Sequence, residues 1–226
     1  MASNLYRHAD KALKKLFRRL ESRLQRLASS VAKWDELNVI SAVNGIYSDV
    51  EQEAERQYLI IAQQAYKEAA REIVAVIPAA KKKLINLPTA LFIVGLLSSY
   101  DTKTEYVYNH EVDRKRARLG EALVAINSGQ AVFNSNATRE ALRRAIVLME
   151  GQMRNMADTV TDESRRQAFA DAGVDMVMWV TQHDEKVCKV CRPRDGVKYK
   201  LFDIPAKHRN CRCYLVAIHS DEDING

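Results

Sequence analysis

The stretch CKVCRPRDGVKYKLFDIPAKHRNCRC, residues 188–213, decides how the end of this chain folds. It contains all four cysteines of the 226-residue sequence. Cys188 and Cys191 form a C-x-x-C pair, and an H-x-x-C-x-C run follows with His208, Cys211 and Cys213. A C-x-x-C turn lets two thiolates face one ion, and a second pair from a neighbouring segment completes a tetrahedron around zinc. The stretch therefore predicts a small module folded around a Cys/His cluster that holds zinc.

Five candidate ligands compete for four positions in this Cys/His cluster. If residues 211 and 213 lie on a strand, their side chains point to the same side, so either thiolate can reach the ion. We expect Cys188, Cys191, His208 and Cys211 to bind the metal, with Cys213 as the substitute. Four or five protein ligands leave no open coordination position, which predicts a structural zinc. The module is too small for a large core, so a metal would supply stability that burial cannot.

Other interpretations of the cysteines stay open beside structural zinc. Disulfides would need an oxidising compartment, and the rest of the chain is typical of a cytosolic protein. A redox C-x-x-C pair normally begins a helix after a strand, whereas this one leads into a predicted hairpin. A catalytic zinc would need an open position and a nearby base, for which Asp184 or Glu185 is close enough in sequence. Reduced thiols without metal are the last alternative.

Short strands surround the cluster. The runs Met176–Thr181 and Cys213–Ile218 have strand length and composition, and residues 197–201 alternate apolar and lysine as a half-buried strand does. Asp195-Gly196 is a hairpin-turn signal, and Gly173 is typical of a helix C-terminus. We therefore expect a small α+β module over 161–219, followed by a flexible acidic tail over 220–226.

The rest of the chain, residues 1–160, has the periodicity of helices. Its first apolar stripe recurs at three- and four-residue steps: Leu13, Leu16, Leu20, Leu24, Leu27 and Val31. Further helices are predicted from Trp34 until Pro78 ends the pattern, from Pro88 as a first helical residue, and over 104–126. A last one is predicted over 138–172, with an interruption near 159–162 and a loop over 134–137 before it. The fold class is mainly α, with long N-terminal and central helices before the C-terminal module.

Residues 1–33 form a basic amphipathic helix in this prediction. They contain nine Lys or Arg against Asp10 and Glu21, although the whole chain has a net charge of only +6. The basic face is either solvated or contacts nucleic acid or an acidic protein surface. Its apolar stripe must pack on another helix or another subunit, so self-association is a possible use. The candidate contact residues are Lys11, Lys14, Lys15, Arg18, Arg19, Arg23 and Arg26.

Membrane insertion and catalysis are not expected. The longest apolar run, Ala90–Leu97, has eight residues, whereas a membrane span needs about 20. The basic N-terminus lacks the apolar segment of a secretory signal. The sequence contains no G-x-S-x-G, P-loop or H-E-x-x-H motif. We therefore expect a protein that is not an enzyme.

The C-terminal stretch also resembles a known family. SRRQAFADAGVDMVMWVTQHDEKVCKVCRPRDGVKY, from Ser164 to Tyr199, and HRNCRC after it are similar to the C-terminal module of the phage Mu F-like head morphogenesis proteins, minor capsid proteins of tailed bacteriophages. Arg209 departs from the pattern, since the family often has proline there. The close match is confined to this stretch, and a looser one begins near position 100 and includes YVYNHEVDRKRARLGEAL. The matching residues are Arg165 or Arg166, Gly173, Trp179, Asp184, Cys188, Cys191, Asp195, Gly196, His208, Cys211, Arg212 and Cys213.

The resemblance implies a minor capsid protein that is made in the host cytoplasm and carried in few copies inside the phage head, at the portal vertex. It implies a role in head assembly, DNA packaging or DNA delivery. The expected partners are the portal protein, packaged double-stranded DNA and other capsid components.

Two further classes of function compete with this one. A zinc-knuckle nucleic-acid-binding regulator would use Lys186, Lys189, Arg192 and Arg194 on phosphates, although nothing in the sequence indicates base readout. A metal-dependent nuclease or hydrolase would lose its activity on substitution of Asp184 by asparagine.

Overall fold

The computed structural model describes residues 7–30, 36–84, 86–99, 103–131, 136–208 and 211–218. These residues form a mainly helical fold with a small antiparallel sheet near the C-terminus, so the expected fold class is confirmed. The acidic tail, Val31 and Arg209 lie outside the described residues. The helices are α1 Arg7–Ser30, α2 Glu36–Val76, α3 Ala90–Ser99, α4 Lys103–Asn127 and α5 Asn136–Ala172; the strands are β1 Met176–Val180, β2 Lys198–Lys200 and β3 Tyr214–Ala217.

The chain divides into two compact units that are each assembled from separate segments. The helical unit comprises Asp10–Tyr58 and Ile93–Met156. The C-terminal unit comprises the start of α1 up to Ala9, Leu59–Phe92 and the chain from Ala157 onward. The expected division at residue 160 lies close to the change of unit within α5. The expected C-terminal module begins at residue 161 and so does not include the second half of α2, which belongs to the same unit as the Cys/His cluster.

The core of the helical unit is built on the leucine stripe of α1. Because leucines three and four residues apart share one side of a helix, Leu20 and Leu24 can both be buried, and neither is exposed at all. Buried residues of the other helices complete this core, among them Val43, Tyr47, Leu119, Leu123 and Met149. The stripe is thus used within the chain, and the suggestion that it docks on another subunit gains no support.

Two helix starts and one expected helix interruption differ from the sequence-based expectation. The third helix begins at Ala90 rather than at Pro88, because the Thr89 hydroxyl accepts the backbone N–H of Phe92 at 3.4 Å and caps it. The last helix begins at Asn136, inside the expected loop. It also continues through 159–162, where Thr161 donates its hydroxyl to the Ala157 carbonyl at 2.8 Å. A hydroxyl bonded in this way leaves the backbone bonds of the helix in place.

Pro78 does end α2, and a short 3₁₀ helix, Pro78–Lys82, follows it. Within the described ranges, no helix is both long and apolar enough to cross a membrane.

The sheet has the strand order β2-β1-β3, and both pairs are antiparallel. Val177, Trp179 and Leu215 point to its inner face and are almost completely buried. They share a hydrophobic core with Tyr66 and Ile73 of α2 and with residues of α5. The inner face of the sheet is therefore held against two long helices of the C-terminal unit.

Two glycines set the chain direction around this sheet. Gly173 has a φ of 78° and ends α5, with the Val174 N–H bonded to the Phe169 carbonyl in a Schellman arrangement. Gly196 has a φ of 74° and follows Asp195 in a type II turn closed by the Val197 N–H to the Arg194 carbonyl. The hairpin expected at Asp195-Gly196 is wrong, because this turn only leads into β2, and a long connection containing the C-x-x-C pair joins β1 to β2.

Candidate metal centre

The C-x-x-C pair lies on a tight turn that brings its two thiols together. The backbone N–H groups of Cys191 and Arg192 both donate to the Cys188 carbonyl, at 3.2 and 3.0 Å. The Cys191 N–H also lies 3.3 Å from the Cys188 sulfur. A 3₁₀ helix, Arg192–Arg194, with Pro193 inside it, then leads the chain away. Backbone N–H bonds to sulfur favour the thiolate, which is the form that binds metal.

The second segment brings His208 to the same place. Its Nε2 lies 3.0 Å from the Cys188 sulfur and 3.1 Å from the Cys191 sulfur. Cys211 follows on a turn in which its N–H donates to the His208 carbonyl at 3.2 Å, and its sulfur lies 3.7 Å from that of Cys191. The two segments that the sequence pairs by ligand spacing therefore meet.

The ligand atoms form two triads that share Cys191. One is Cys188, Cys191 and His208, and the other is Cys191, Cys211 and Cys213; within each triad all ligand atoms lie within 4.8 Å of one another. The expected set of Cys188, Cys191, His208 and Cys211 draws on both triads. Its fourth member stays a prediction, because Cys211 and Cys213 both lie within reach of Cys191.

The donor set and its spacing fit a tetrahedral zinc. Zinc–sulfur bonds of about 2.3 Å place two thiolates of a tetrahedron roughly 3.8 Å apart, and the Cys191 and Cys211 sulfurs are separated by 3.7 Å. All four cysteines are free thiols. Structural zinc sites use either three thiolates with one imidazole or four thiolates as ligands. The cluster could thus hold a metal ion.

The electrostatics of the thiols also favour a bound cation. The backbone N–H of Cys191 is the main cause that lowers the pKa of Cys188 to about 7, and nearby His208 adds to the effect. Burial instead raises the pKa of Cys191 and that of Cys211. Ionising buried thiols without a counterion is unfavourable, so a divalent cation would stabilise the thiolates that the fold brings together.

Lys207 ties the cluster to α5, and sequence reasoning missed it. Its ammonium lies 2.7 Å from the Asp162 carboxylate and donates to the Cys213 carbonyl at 2.6 Å. Both charged side chains are mostly buried. No spacing rule points to this lysine; its position directly before His208 is the only sequence signal. The contact fixes the segment that carries three candidate ligands.

Asp184 and Arg212, the acidic and basic residues of the family pattern, form a two-pronged ion pair. Both guanidinium nitrogens lie 2.7 Å from the carboxylate oxygens, and the Lys186 N–H donates to the same carboxylate. The hydrogen bonds from Arg212 hold the pKa of Asp184 below its usual range. The carboxylate thus joins the loop before the C-x-x-C pair to the segment between Cys211 and Cys213.

Asp195 closes the same loop from the other side. Its carboxylate accepts the Thr181 N–H at 2.7 Å and lies 3.5 Å from His183 Nδ1. His183 has a φ of 53°, a left-handed conformation in which the chain leaves β1. The loop is therefore anchored at both of its ends by carboxylates.

Two further residues of the family pattern, Trp179 and Arg165, are buried beneath the cluster. Trp179 is fully buried, with the Tyr199 ring edge-on at 6.4 Å and the Arg194 guanidinium 5.2 Å from its centroid. Of the two arginines left open by the sequence, Arg165 points inward and pairs with Glu72 at 2.6 Å. It also lies over the Phe169 ring at 5.7 Å. The inward arginine thus links α5 to α2.

The seven basic residues proposed for portal or nucleic-acid contact all belong to α1 of the helical unit. Arg23 is half-buried and pairs with Asp49 at 2.7 Å, and Arg26 donates to the Ser22 carbonyl at 3.2 Å. These two are therefore partly used within the chain. The exposed members for which the structure describes no such contact are Lys11, Lys14, Lys15, Arg18 and Arg19.

Comparisons with protein-family models, with curated proteins and with solved structures found no match to this chain. The likeness to Mu F-like proteins thus stands on the motif residues alone.

Proposed function

We propose that this chain is a minor capsid and head morphogenesis protein of a tailed bacteriophage, similar to the Mu F-like family. In this proposal it sits inside the head at the portal vertex and acts in head assembly, DNA packaging or DNA delivery. Its C-terminal unit serves as a metal-stabilised module, and its α1 offers a basic surface to the portal or to packaged DNA.

The observation that carries the proposal is the way the motif residues contact one another. Asp184 and Arg212 are 28 residues apart in sequence and form the two-pronged ion pair. Trp179 is fully buried below the Cys/His cluster. Residues that matched the family pattern by chance would not be expected to contact one another within one module. Their joint role in one module supports common descent with the family from which the pattern comes.

We propose zinc as the metal and a structural role for it. The cluster offers five sulfur and nitrogen donors, and a site filled by four of them leaves no coordination position for substrate or water. Metal analysis of protein purified under reducing conditions tests this proposal. About one zinc per chain is expected, whereas metal-free protein that keeps a folded C-terminal unit would contradict it.

The proposal assigns no catalytic turnover to the chain. Asp184 is the carboxylate that a metal-dependent nuclease would need, yet both of its oxygens are engaged by Arg212. Cleavage of DNA in the presence of divalent metal, abolished by Asp184→Asn, would refute this part of the proposal. An equal lack of cleavage in both proteins is expected.

The exposed basic residues of α1 support contact with an acidic partner. Lys14, Lys15, Arg18 and Arg19 lie on the solvent side of a helix whose apolar stripe is used inside the helical unit. Such contacts weaken with added salt, because binding releases counterions from phosphate or carboxylate groups. An acidic portal surface and packaged DNA are the two partners proposed.

A protein inventory by mass spectrometry of purified, DNA-filled particles tests the function directly. The particles come from cells that carry the gene, and the unassembled fraction of the same lysate is the control. The chain should be found in the particles at a few copies per portal ring, together with the portal protein.

The opposite distribution would overturn the proposal. If clean particles lack the chain while the lysate contains it in abundance, it is not a virion component. A nucleic-acid-binding regulator would then explain the basic surfaces better.

A further inference from the structure

The two faces of the three-stranded sheet differ in burial and in the side chains that they present. The inner face is buried against α2 and α5. The register pairs Lys198 with Met178 and Met178 with Val216, so these three side chains form one row across the outer face. Lys200 and Met176 form the next row. The outer face thus presents methionines, a valine and lysines.

This outer face is apolar and partly exposed, although a solvated sheet face is normally polar. Val216 is 37% exposed, and Met176, Met178 and Tyr214 are half-buried. The three strands contain no acidic residue, and their only charges are the two exposed lysines of β2. The outer face is therefore suited to a partner that has both flat apolar groups and negative charge.

An exposed phenylalanine lies just beyond one end of the outer face. Phe202 is 79% exposed and lies in the turn directly after β2, two residues beyond Lys200. Its neighbour Leu201 is buried in the core, so the phenylalanine points away from that core. Tyr214 lies at the opposite end, paired with Val180 on the other side of β1. Aromatic rings in such positions are the platforms on which single-stranded nucleic acids stack their bases.

The charge of the surrounding segment is strongly positive. Residues 186–212 contain nine Lys or Arg against Asp195 and Asp203, a net charge of +7. Arg194, Lys207 and Arg212 bond to other groups of the chain, and Lys198 also has an interaction within it. Exposed cations include Lys186, Lys189, Arg192 and Lys200. Charge complementarity therefore points to a polyanion.

We propose that the outer face of the sheet binds single-stranded nucleic acid. Bases stack on Phe202 and Tyr214 and lie against the methionines, while Lys198 and Lys200 contact phosphates. A duplex hides the flat faces of its bases, so it would gain the phosphate contacts but not the stacking. An acidic protein segment would satisfy the lysines but leaves the exposed aromatic ring without a specific role. The site goes beyond the proposed virion function and does not depend on it.

The test is fluorescence anisotropy with the full-length, zinc-supplemented protein and a labelled oligothymidylate of about twenty nucleotides. Phe202→Ala should weaken binding about tenfold while leaving the salt dependence unchanged, because it removes stacking only. Lys198→Glu with Lys200→Glu should weaken binding and flatten the plot of log affinity against log salt. The slope of that plot changes by about 0.7 for each phosphate that is no longer bound. Both sites are exposed, so the fold should tolerate the changes.

A matched charge reversal on α2 controls for the change in net charge. Lys67→Glu with Arg71→Glu changes the net charge by the same amount at exposed positions of α2, the helix that packs against the inner face of the sheet. It should leave the affinity for the oligothymidylate within about twofold of the native value, because neither residue lies on the outer face and exposed charges are screened by salt. The zinc content of every variant should be unchanged, which would confirm that the C-terminal unit is intact.

Three results would overturn the proposal. Equal affinity for the oligothymidylate and for a duplex of the same length, with no effect of Phe202→Ala, would indicate a general polyanion surface. Equal weakening by the α2 reversal would show that the outer face is not the binding site. Absence of binding would leave the outer face to an acidic protein partner. None of these results bears on whether the chain is found in virions, which the particle inventory decides separately.

Discussion

The helical unit and the Cys/His segment, residues 188–213 of the C-terminal unit, hold their shape by different means. In α1, Leu20 and Leu24 are completely buried, and the backbone bonds of the helix interior are made within the helix itself. In the described part of 188–213, the regular structure is β2 and one short 3₁₀ helix, and three of the buried residues are cysteines. Apolar burial thus stabilises the first region, whereas the second relies on a few side-chain bonds and would gain further stability from a metal ion at its thiols.

The stability of each region therefore depends on a different quantity. A helix with an apolar stripe needs only a partner helix, so its stability follows buried area. A loop with little regular structure has few backbone bonds to offset its loss of conformational entropy. If the cluster holds a metal ion, the ligand bonds would contribute a large share of the folding free energy of this loop.

Replacing the shared ligand should affect the Cys/His segment most strongly. Cys191→Ser removes the residue common to both triads, so neither can bind zinc tightly. Structural zinc contributes about 10–16 kcal/mol in small zinc-binding peptides, so the Cys/His segment should unfold. Zinc content should fall from about one per chain to near zero. Limited proteolysis should cut within 188–213, while far-ultraviolet circular dichroism of the helices changes little.

Cys213→Ser is the matched control for that experiment. If the expected set of Cys188, Cys191, His208 and Cys211 binds the ion, this variant keeps its zinc and its resistance to proteolysis. Loss of zinc from Cys213→Ser with retention in Cys211→Ser would assign the fourth position to Cys213 instead. Unchanged proteolysis of metal-free Cys191→Ser would show that the segment does not need a metal.

The second prediction concerns the helical unit and is smaller in magnitude. Leu24→Ala leaves a cavity at a fully buried position, which typically costs about 2–5 kcal/mol. The midpoint of denaturant unfolding should fall, and the zinc content should stay the same. Leu91→Ala makes the same chemical change at a residue that is 81% exposed, and it should have little effect. A loss of zinc from Leu24→Ala would mean that the two regions do not fold by separate means.

Lys207→Met tests whether the contacts that hold the ligand segment in place affect its affinity for the metal. The substitution keeps an unbranched side chain, one atom shorter, but removes the bonds to Asp162 and to the Cys213 carbonyl. Removing such a supporting contact typically lowers metal affinity about 10–100-fold. Competition with a chromophoric zinc chelator measures this change. Lys189→Met, at an exposed position, should leave the affinity unchanged, and equal effects of the two variants would deny Lys207 a positioning role.

The sequence predicts the helical unit well because its information is periodic. The stripe from Leu13 to Leu27 is buried as expected. Local rules fail where side chains compensate: the sequence predicts an interruption near 159–162, yet the Thr161 hydroxyl donates to the carbonyl four residues earlier and the helix continues. Asp195-Gly196 shows the same limit, since its turn type depends on the residues that flank it in space.

The candidate site could be predicted only in part. Ligand spacing identifies the residues that meet, because C-x-x-C and H-x-x-C turns are local. The choice between Cys211 and Cys213 is not local, and both sulfurs reach Cys191. The contacts of Lys207 with Asp162 and of Arg165 with Glu72 join residues 45 and 93 positions apart. Such pairs follow from tertiary packing, which no spacing in one sequence encodes.

The weakest effects are electrostatic, and they have opposite signs at two carboxylates, Glu163 and Glu140. Burial raises the pKa of Glu163 in the C-terminal unit, and Arg166, at 3.3 Å, offsets this only in part. A raised folded-state pKa gives stability that is complete below the ordinary carboxyl pKa of about 4.3 and is lost as pH rises through the folded-state value. Glu163→Gln should therefore match the native protein at low pH and exceed its stability by less than about 1 kcal/mol at pH 7.

Glu140 of the helical unit provides the matched opposite case. Hydrogen bonds from Arg143 and Arg144 lower the pKa of this exposed carboxylate to about 2. Its stabilising effect is present above the ordinary carboxyl pKa and is lost as pH falls through the folded-state value, so Glu140→Gln should become the less stable protein as pH rises. Denaturant unfolding at pH 4 and pH 7 measures both differences, and metal loss in acid affects variant and native protein alike. If the stability of both variants relative to the native protein changed in the same direction between these pH values, burial at Glu163 and hydrogen bonding at Glu140 would not determine the effects of the two carboxylates.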